Sequence, residues 1–155
     1  MIINYSTYRG EGMSNLVFTV NEAIEFSSKG SIEEWVHLFL TTVGGNQGLS
    51  DGLKLQKRYW VGPIIIKLDK LKRCMGPEPY MEYVDSVENW EKHILRFQKL
   101  VKDGWDMPPL IVQNINGDLS VRDGNHRLEA MRREGYDEFW AIIWDSEKQD
   151  NLTSF

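Results

Sequence analysis

A strand hairpin, a glycine turn and a short helix follow one another within residues 110–135, and this order constrains the fold more than any other sequence feature. Leu110–Gln113 has the character of a strand, Asn116-Gly117 is a strong two-residue hairpin signal, and Leu119–Arg122 is the return strand. Gly124 follows at the point where that strand must turn sharply into a helix. The pattern predicts a hairpin that leads directly into a helix over a shared core.

The flanking segments predict the rest of a small mixed sheet with helices packed on it. Tyr59–Leu68 and Phe139–Trp144 have the composition of strands, and Val87–Val101 keeps the three–four spacing of an amphipathic helix. The fold class is therefore α/β (α+β), with the main domain over residues 59–145. The tail over residues 146–155 is polar, and we expect it to fray.

The first 58 residues are predicted to be an N-terminal extension with one helix. That helix runs from Ser31 to Val43, and the glycine-rich run 44–48 ends it. Residues 16–20, which are mostly apolar and β-branched or aromatic, are predicted to form a short strand. The role of the extension stays open between a lid, a dimerisation arm that would make a homodimer, and a cap.

Composition sets the broad class of the protein. The 155 residues are 41% hydrophobic and 26% charged, which is ordinary for one folded domain. A net charge of -5 argues against general nucleic-acid binding, which depends on Lys and Arg. Cys74 is the single cysteine, so no intrachain disulfide forms. The sequence starts without the pattern of a signal peptide and has no run of bilayer length, so we expect a cytoplasmic protein with no membrane partner.

The glycine turn has the composition of an anion site. A helix that starts just after Gly124 presents unpaired amide donors and the positive end of its dipole, which favours phosphate. Arg127 could hold phosphate oxygens through paired hydrogen bonds, and His126 could donate a proton or act as acid or base. Asp123 could hold a magnesium ion that bridges to phosphate.

A structural interpretation of the same residues stays open at this point. Asp-Gly is common in turns, so Asp123 could simply cap the helix. Arg127 could pair with Glu129, and His126 could be an ordinary surface histidine. Spacing alone favours neither interpretation.

Several segments together resemble the ParB/sulfiredoxin-like superfamily. The pattern Gly-x-x-Arg-x-x-Ala is met by Gly124, Arg127 and Ala130. The elements around it stand in the family's order, and the resemblance covers about residues 60–145. These elements are Pro109–Val112, the Asn116-Gly117 hairpin, Val121–Ala130 and Trp140–Ile143.

The resemblance implies nucleotide chemistry rather than thiol chemistry. Sulfiredoxin has its catalytic Cys where this chain has Asn125, so repair of sulfinic acids is not expected. Partition ParB proteins bind CTP with this motif. The Asp-Gly-x-His-Arg form, with His126 and Arg127, looks more like the small kinases of this superfamily that use ATP or ADP, such as free-serine kinases.

In those kinases the Asp and His serve the nucleotide and metal, and an earlier Glu is the base. By this resemblance the catalytic residues are His126, Asp123 and Glu78, and the metal is Mg²⁺ at Asp123. Glu82 competes with Glu78, and a solvated loop acid is the alternative for Glu78. The residues implied to bind nucleotide are Gly124, Asn125, His126 and Arg127.

The leading prediction is thus a nucleotide-binding domain that carries out phosphoryl transfer, to a small-molecule acceptor, or nucleotide hydrolysis. ATP, ADP and CTP are the nucleotides considered, and Trp105 is the aromatic residue best placed to stack a base.

Two alternatives involve DNA. Residues 54–73 hold seven basic residues against the single acid Asp69, which suits a non-enzymatic DNA-associated partition regulator. A ParB-like nuclease would instead need a metal ion at Asp123. The basic residues are Lys54, Lys57, Arg58, Lys67, Lys70, Lys72 and Arg73.

Overall fold

The computed structural model describes residues 15–155, and its helices and strands confirm the α+β class. Short 3-10 turns follow β1 and β7. In chain order the helices and strands are α1 (Val20–Ser28), α2 (Ile32–Leu40), α3 (Gln47–Leu53), β1 (Tyr59–Lys67), β2 (Leu71–Arg73), β3 (Met75–Gly76), β4 (Tyr83–Val84), α4 (Val87–Lys102), β5 (Leu110–Ile115), β6 (Asp118–Asp123), α5 (Asn125–Arg133) and β7 (Glu138–Asp145).

The main sheet is mixed and has the strand order β1-β7-β5-β6-β2. β5 and β6 form the predicted hairpin, and Asn116 and Gly117 at its tip both have positive φ, as a two-residue turn of this kind requires. β7 runs parallel to β5 and antiparallel to β1. The register of β1 shifts between Val61 and Ile64, around the cis peptide bond before Pro63.

The sheet is covered on both faces, because inward-facing side chains alternate along its central strands. On β7, Ala141 and Ile143 face one core, while Ile142 and Trp144 face the other. The first core receives Leu128 from α5 together with side chains from the end of α4. The second core is built against α1–α3. The result is a three-layer arrangement with the sheet in the middle.

The N-terminal region differs from the prediction within residues 15–58. Three helices are present where one was predicted, and the expected strand over residues 16–20 is absent from this part of the chain. Thr19 caps α1 instead, because its side chain accepts a hydrogen bond from the amide of Glu22 at 3.2 Å. The helices pack on the sheet through a stacked pair, Trp35 and Phe39, whose ring centroids are 5.3 Å apart.

The tail is docked rather than frayed, which corrects the prediction for residues 146–155. Leu152 is buried in the first core, and Phe155 packs against it. Asp145 organises the chain reversal by accepting hydrogen bonds from the amides of Glu147 and Lys148. Within residues 15–155, the helices are all too short or too polar to cross a bilayer.

Candidate functional site

The turn at Gly124 has the geometry that an anion site requires. Gly124 lies at the N-cap of α5 with φ +105°, and α5 has no side-chain cap. The amide of Leu128 donates to the carbonyl oxygen of Gly124 at 2.8 Å. The amides of Asn125, His126 and Arg127 have no acceptor within the described part of the chain. This helix start therefore presents free donors.

Arg127 lies beneath this turn rather than over it. Its side chain is 4% exposed, and its guanidinium donates to the carbonyl oxygens of Pro108 and Pro109 and to Asp123. A Cβ on Gly124 would lie 2.9 Å from the Arg127 guanidinium and 2.6 Å from Leu110. Glycine is thus required here twice, for its φ and for the close approach of these two side chains.

Asp123 joins the turn to the loop between α2 and α3. One carboxylate oxygen lies 3.2 Å from the Arg127 guanidinium, and the other accepts a hydrogen bond from the side-chain nitrogen of Asn46 at 3.1 Å. No cluster of three or more metal-binding side chains occurs within residues 15–155. Asp123 alone does not make a magnesium site, so an ion here would depend on ligand oxygens for most of its coordination.

His126 lies in an aromatic cage made by α4. Its ring centroid is 4.8 Å from that of Trp90 and 5.0 Å from that of His93, and it stacks on Phe97 with a 10° angle between the planes. Burial and the neighbouring His93 lower the pKa of His126. Its Nε2 atom is buried and has no hydrogen-bond partner within residues 15–155.

A cleft of about 330 Å³ opens beside the turn, and we call it the Gly124 cleft. Trp105, which the sequence indicated as a stacking residue, lies in its wall and packs on Phe97 with 5.9 Å between ring centroids. Arg96 was not predicted; it is exposed and has no acid partner among the described residues. The lining residues are Phe39, Val43, Gly44, Arg96, Phe97, Leu100, Trp105, Pro108, Asp123, Gly124, His126 and Arg127.

Two predicted site residues do not line this cleft. Asn125 is buried on the other side of the turn. There its side-chain oxygen accepts a hydrogen bond from the backbone amide of Cys74 at 2.9 Å, and its side-chain nitrogen donates to the carbonyl oxygen of Val121. Glu78 lies 2.6 Å from Arg73, and that hydrogen-bonded cation lowers the pKa of Glu78. The structure therefore does not bring Glu78 together with His126 and Asp123 in the cleft.

Glu82, the competing base, is also outside the cleft. Both its oxygens accept from the guanidinium of Arg122, at 2.7 and 3.0 Å, and this pairing lowers the pKa of Glu82. Of the titratable acids and bases named from the sequence, the cleft gathers His126 and Asp123.

The basic segment 54–73 does not form one free cationic surface. Lys67 pairs with Glu138, and Lys72 pairs with Asp118. Arg58 donates hydrogen bonds to the carbonyl oxygens of Leu53 and Gly52. Arg73 forms ion pairs with Glu78 and Glu129. Lys54, Lys57 and Lys70 form no ion pair with described residues.

Comparisons with known proteins give structural matches alone. No protein-family model and no curated protein matches the chain. Two structures of a pNOB8-like ParB N-domain are 18% identical to it with TM-scores of 0.40, and the matches cover 62% of this chain and 33% and 31% of theirs. A conserved hypothetical protein from Pyrococcus furiosus is 18% identical, with a TM-score of 0.43 over 57% of this chain and 34% of its own.

The chain thus spans about one third of the length of the structures that it matches. ParB N-domains, to which the sequence motif pointed, are among them. No conclusion about the fold or the activity of this chain rests on a likeness of this size.

Proposed function

We propose that the Gly124 cleft binds a nucleotide, with its phosphate groups at the start of α5. The observation that carries this proposal is the uncapped helix start itself. Three consecutive amides that have no acceptor within residues 15–155 lie beside a cleft lined by Arg96, which has no acid partner in that same range. Amide donors and the helix dipole favour an anion at this position.

Arg96, rather than Arg127, supplies the charge that meets the phosphate. The donors of Arg127 are bonded to two backbone carbonyls and to Asp123, so this side chain holds the turn in shape. The guanidinium of Arg96 lies 5.1 Å from the ring centroid of Phe97 at the surface of the cleft, and no acid from residue 15 onward pairs with it. A free, exposed guanidinium can pair with phosphate oxygens without breaking an existing contact.

The rest of the cleft fits the nucleoside part of the ligand. Trp105 and Phe97 form an aromatic wall, and Val43 and Leu100 extend the apolar surface. Bases stack on such rings, and the cleft volume lies at the lower end of the range for small-molecule sites.

Phosphoryl transfer or nucleotide hydrolysis is the reaction we propose for this site. Such chemistry depends mainly on positioning and on charge stabilisation, which amides and Arg96 would supply. His126 is the group in the cleft suited to exchange a proton, because its lowered pKa keeps the ring neutral near pH 7. Magnesium, if bound with the nucleotide, would meet Asp123 as its one protein carboxylate.

Calorimetric titration with ATP, ADP and CTP, each with and without Mg²⁺, tests this proposal. We expect binding of at least one nucleotide and a loss of about tenfold or more in affinity for Arg96→Gln, because a charged hydrogen bond contributes roughly 1.5–3 kcal/mol. Lys92→Gln is the matched control, since it removes one positive charge from the same helix outside the cleft. Absence of binding by all three nucleotides, or equal losses in both variants, would contradict the proposal.

A further inference from the structure

Two histidines pack against each other beside the cleft, where α4 meets α5. His93 on α4 and His126 on α5 face each other with 5.0 Å between ring centroids. His126 lines the cleft and stacks on Phe97, and His93 lies behind it, outside the lining residues. The neighbouring imidazole of His93 disfavours a positive charge on His126 and so contributes to lowering its pKa.

The charges that face His126 come from three elements and act in opposite directions. Arg96 and His93 on α4 oppose protonation of the ring. Asp85, just before α4, and Asp123 at the end of β6 favour it, and Arg127 on α5 is held against Asp123. Burial of the ring exceeds these contributions, so the pKa of His126 is lowered in the empty protein.

An anionic ligand at the start of α5 would reverse this balance. His126 is the second residue of that helix, so a phosphate group held by its first-turn amides lies beside the imidazole. Negative charge within a few ångströms favours the protonated form of a buried histidine. By thermodynamic linkage, the ligand then binds more tightly as the pH falls.

We propose that His126, with the ring of His93 packed beside it, is a proton-accepting group of the Gly124 cleft, so that a dianionic phosphate group binds together with one proton. This inference rests on the proposed function, because it needs the anion at the start of α5. It adds that the site discriminates between ligands by their charge. A dianion raises the pKa of His126 more than a singly charged carboxylate ligand does.

The three histidines of the chain allow a direct test by NMR. The imidazole resonances of the wild-type protein are followed from about pH 5 to about pH 8 without Mg²⁺, with and without sulfate, a dianion that does not titrate in this range. His37 is the internal reference, because burial and Lys54 lower its pKa to about 4, outside the range. We expect sulfate to raise the midpoint of His126 by about one pH unit and to leave His37 unchanged.

Two variants test the contributions of His126 and His93 separately. In His126→Gln, sulfate binding should lose its dependence on pH, and in His93→Gln the midpoint of His126 in the empty protein should rise. Sulfate that binds at the start of α5 without moving the His126 midpoint would overturn this inference and leave the proposed function standing. Failure of sulfate, phosphate and nucleotides to bind at all would overturn both.

Discussion

Arg127 and Asp123 form a buried ion pair across the Gly124 turn, with 3.2 Å between the guanidinium nitrogen and the carboxylate oxygen. The same carboxylate accepts a hydrogen bond from Asn46, which lies between α2 and α3. The motif residues are thereby tied to the N-terminal helices on one side and to the Pro108-Pro109 backbone on the other. These contacts fix the turn, and the amides of Asn125, His126 and Arg127 have no acceptor among the described residues.

Replacing Arg127 by Met should destabilise the fold by about 3–5 kcal/mol, because it leaves Asp123 buried without its cation and two carbonyl groups without a donor. Urea unfolding measures this change. Arg133→Met is the control on the same helix; its partners Glu91 and Glu129 are partly exposed, and we expect a loss of about 1 kcal/mol or less. Similar losses in both variants would show that Arg127 is not a structural centre of the turn.

Replacing Gly124 by Ala should cost more than the same change at Gly117. Both glycines have positive φ, at +105° and +92°, so both variants carry backbone strain of about 1 kcal/mol or more. A Cβ at Gly117 meets nothing within 4 Å, whereas one at Gly124 collides with Leu110 and Arg127. We expect roughly 1–3 kcal/mol of additional destabilisation at Gly124, measured by chemical denaturation. Equal costs would contradict the close packing beneath the turn.

His37 should make the protein less stable in mild acid. The ring is 3% exposed and its Nδ1 lies 2.7 Å from the hydroxyl of Ser50; burial, assisted by Lys54, lowers its pKa to about 4. Between pH 6.5 and about 4 the unfolded chain binds a proton at His37 and the folded chain does not. The free energy of unfolding therefore decreases as the pH falls through this range.

The contribution of His37 is measured by comparing urea unfolding of the wild type with that of His37→Gln across this pH range. The wild type should lose about 3 kcal/mol more than the variant, since one pKa unit corresponds to about 1.4 kcal/mol. Parallel losses in the two proteins would mean that His37 is protonated as readily in the folded state as in the unfolded state.

Residues 59–155 alone should not form a stable, soluble domain. Without α1–α3 the sheet would expose Ile111, Ile142 and Trp144, which are 0–3% exposed in the structure. Such a contiguous apolar face favours aggregation or binding of hydrophobic dyes. Circular dichroism and dye fluorescence of the fragment test this expectation, and cooperative unfolding at the midpoint of the full chain would contradict it.

Much of the sheet domain was predictable from the sequence, because its turns and helices depend on interactions between residues that are close together in the chain. Asn116-Gly117 fixes its hairpin through backbone conformations that these residues adopt easily, and the structure has it. The apolar spacing of Val87–Lys102 likewise predicted α4, and Gly124 marked the start of α5.

The errors lie where tertiary contacts override or hide the local signal. Residues 16–20 have the composition of a strand, yet Thr19 caps a helix whose buried face completes the second core. α3 contains Gly48 and Gly52, which weaken a helix, so it was missed. Its start depends on Asn46, which accepts from the amide of Leu49.

The position of the Gly124 turn was predictable, but the surroundings of the charged side chains near it were not. Composition cannot show that Arg127 is buried, because its carbonyl partners lie 18 and 19 residues away in the chain. Arg96 reaches the cleft because α4 packs on α5, and nothing in its local sequence signals this. Two arginines of the same charge therefore differ in burial and in bonding partners through their tertiary surroundings alone.

Amide NMR of the wild-type protein during nucleotide titration tests the central claim most directly. Saturating nucleotide should shift the amide resonances of Asn125, His126 and Arg127, and Arg96→Gln should need about tenfold more ligand to reach the same shifts. A nucleotide that saturates the protein while these three amides stay unmoved would contradict the claim that the start of α5 holds the phosphate.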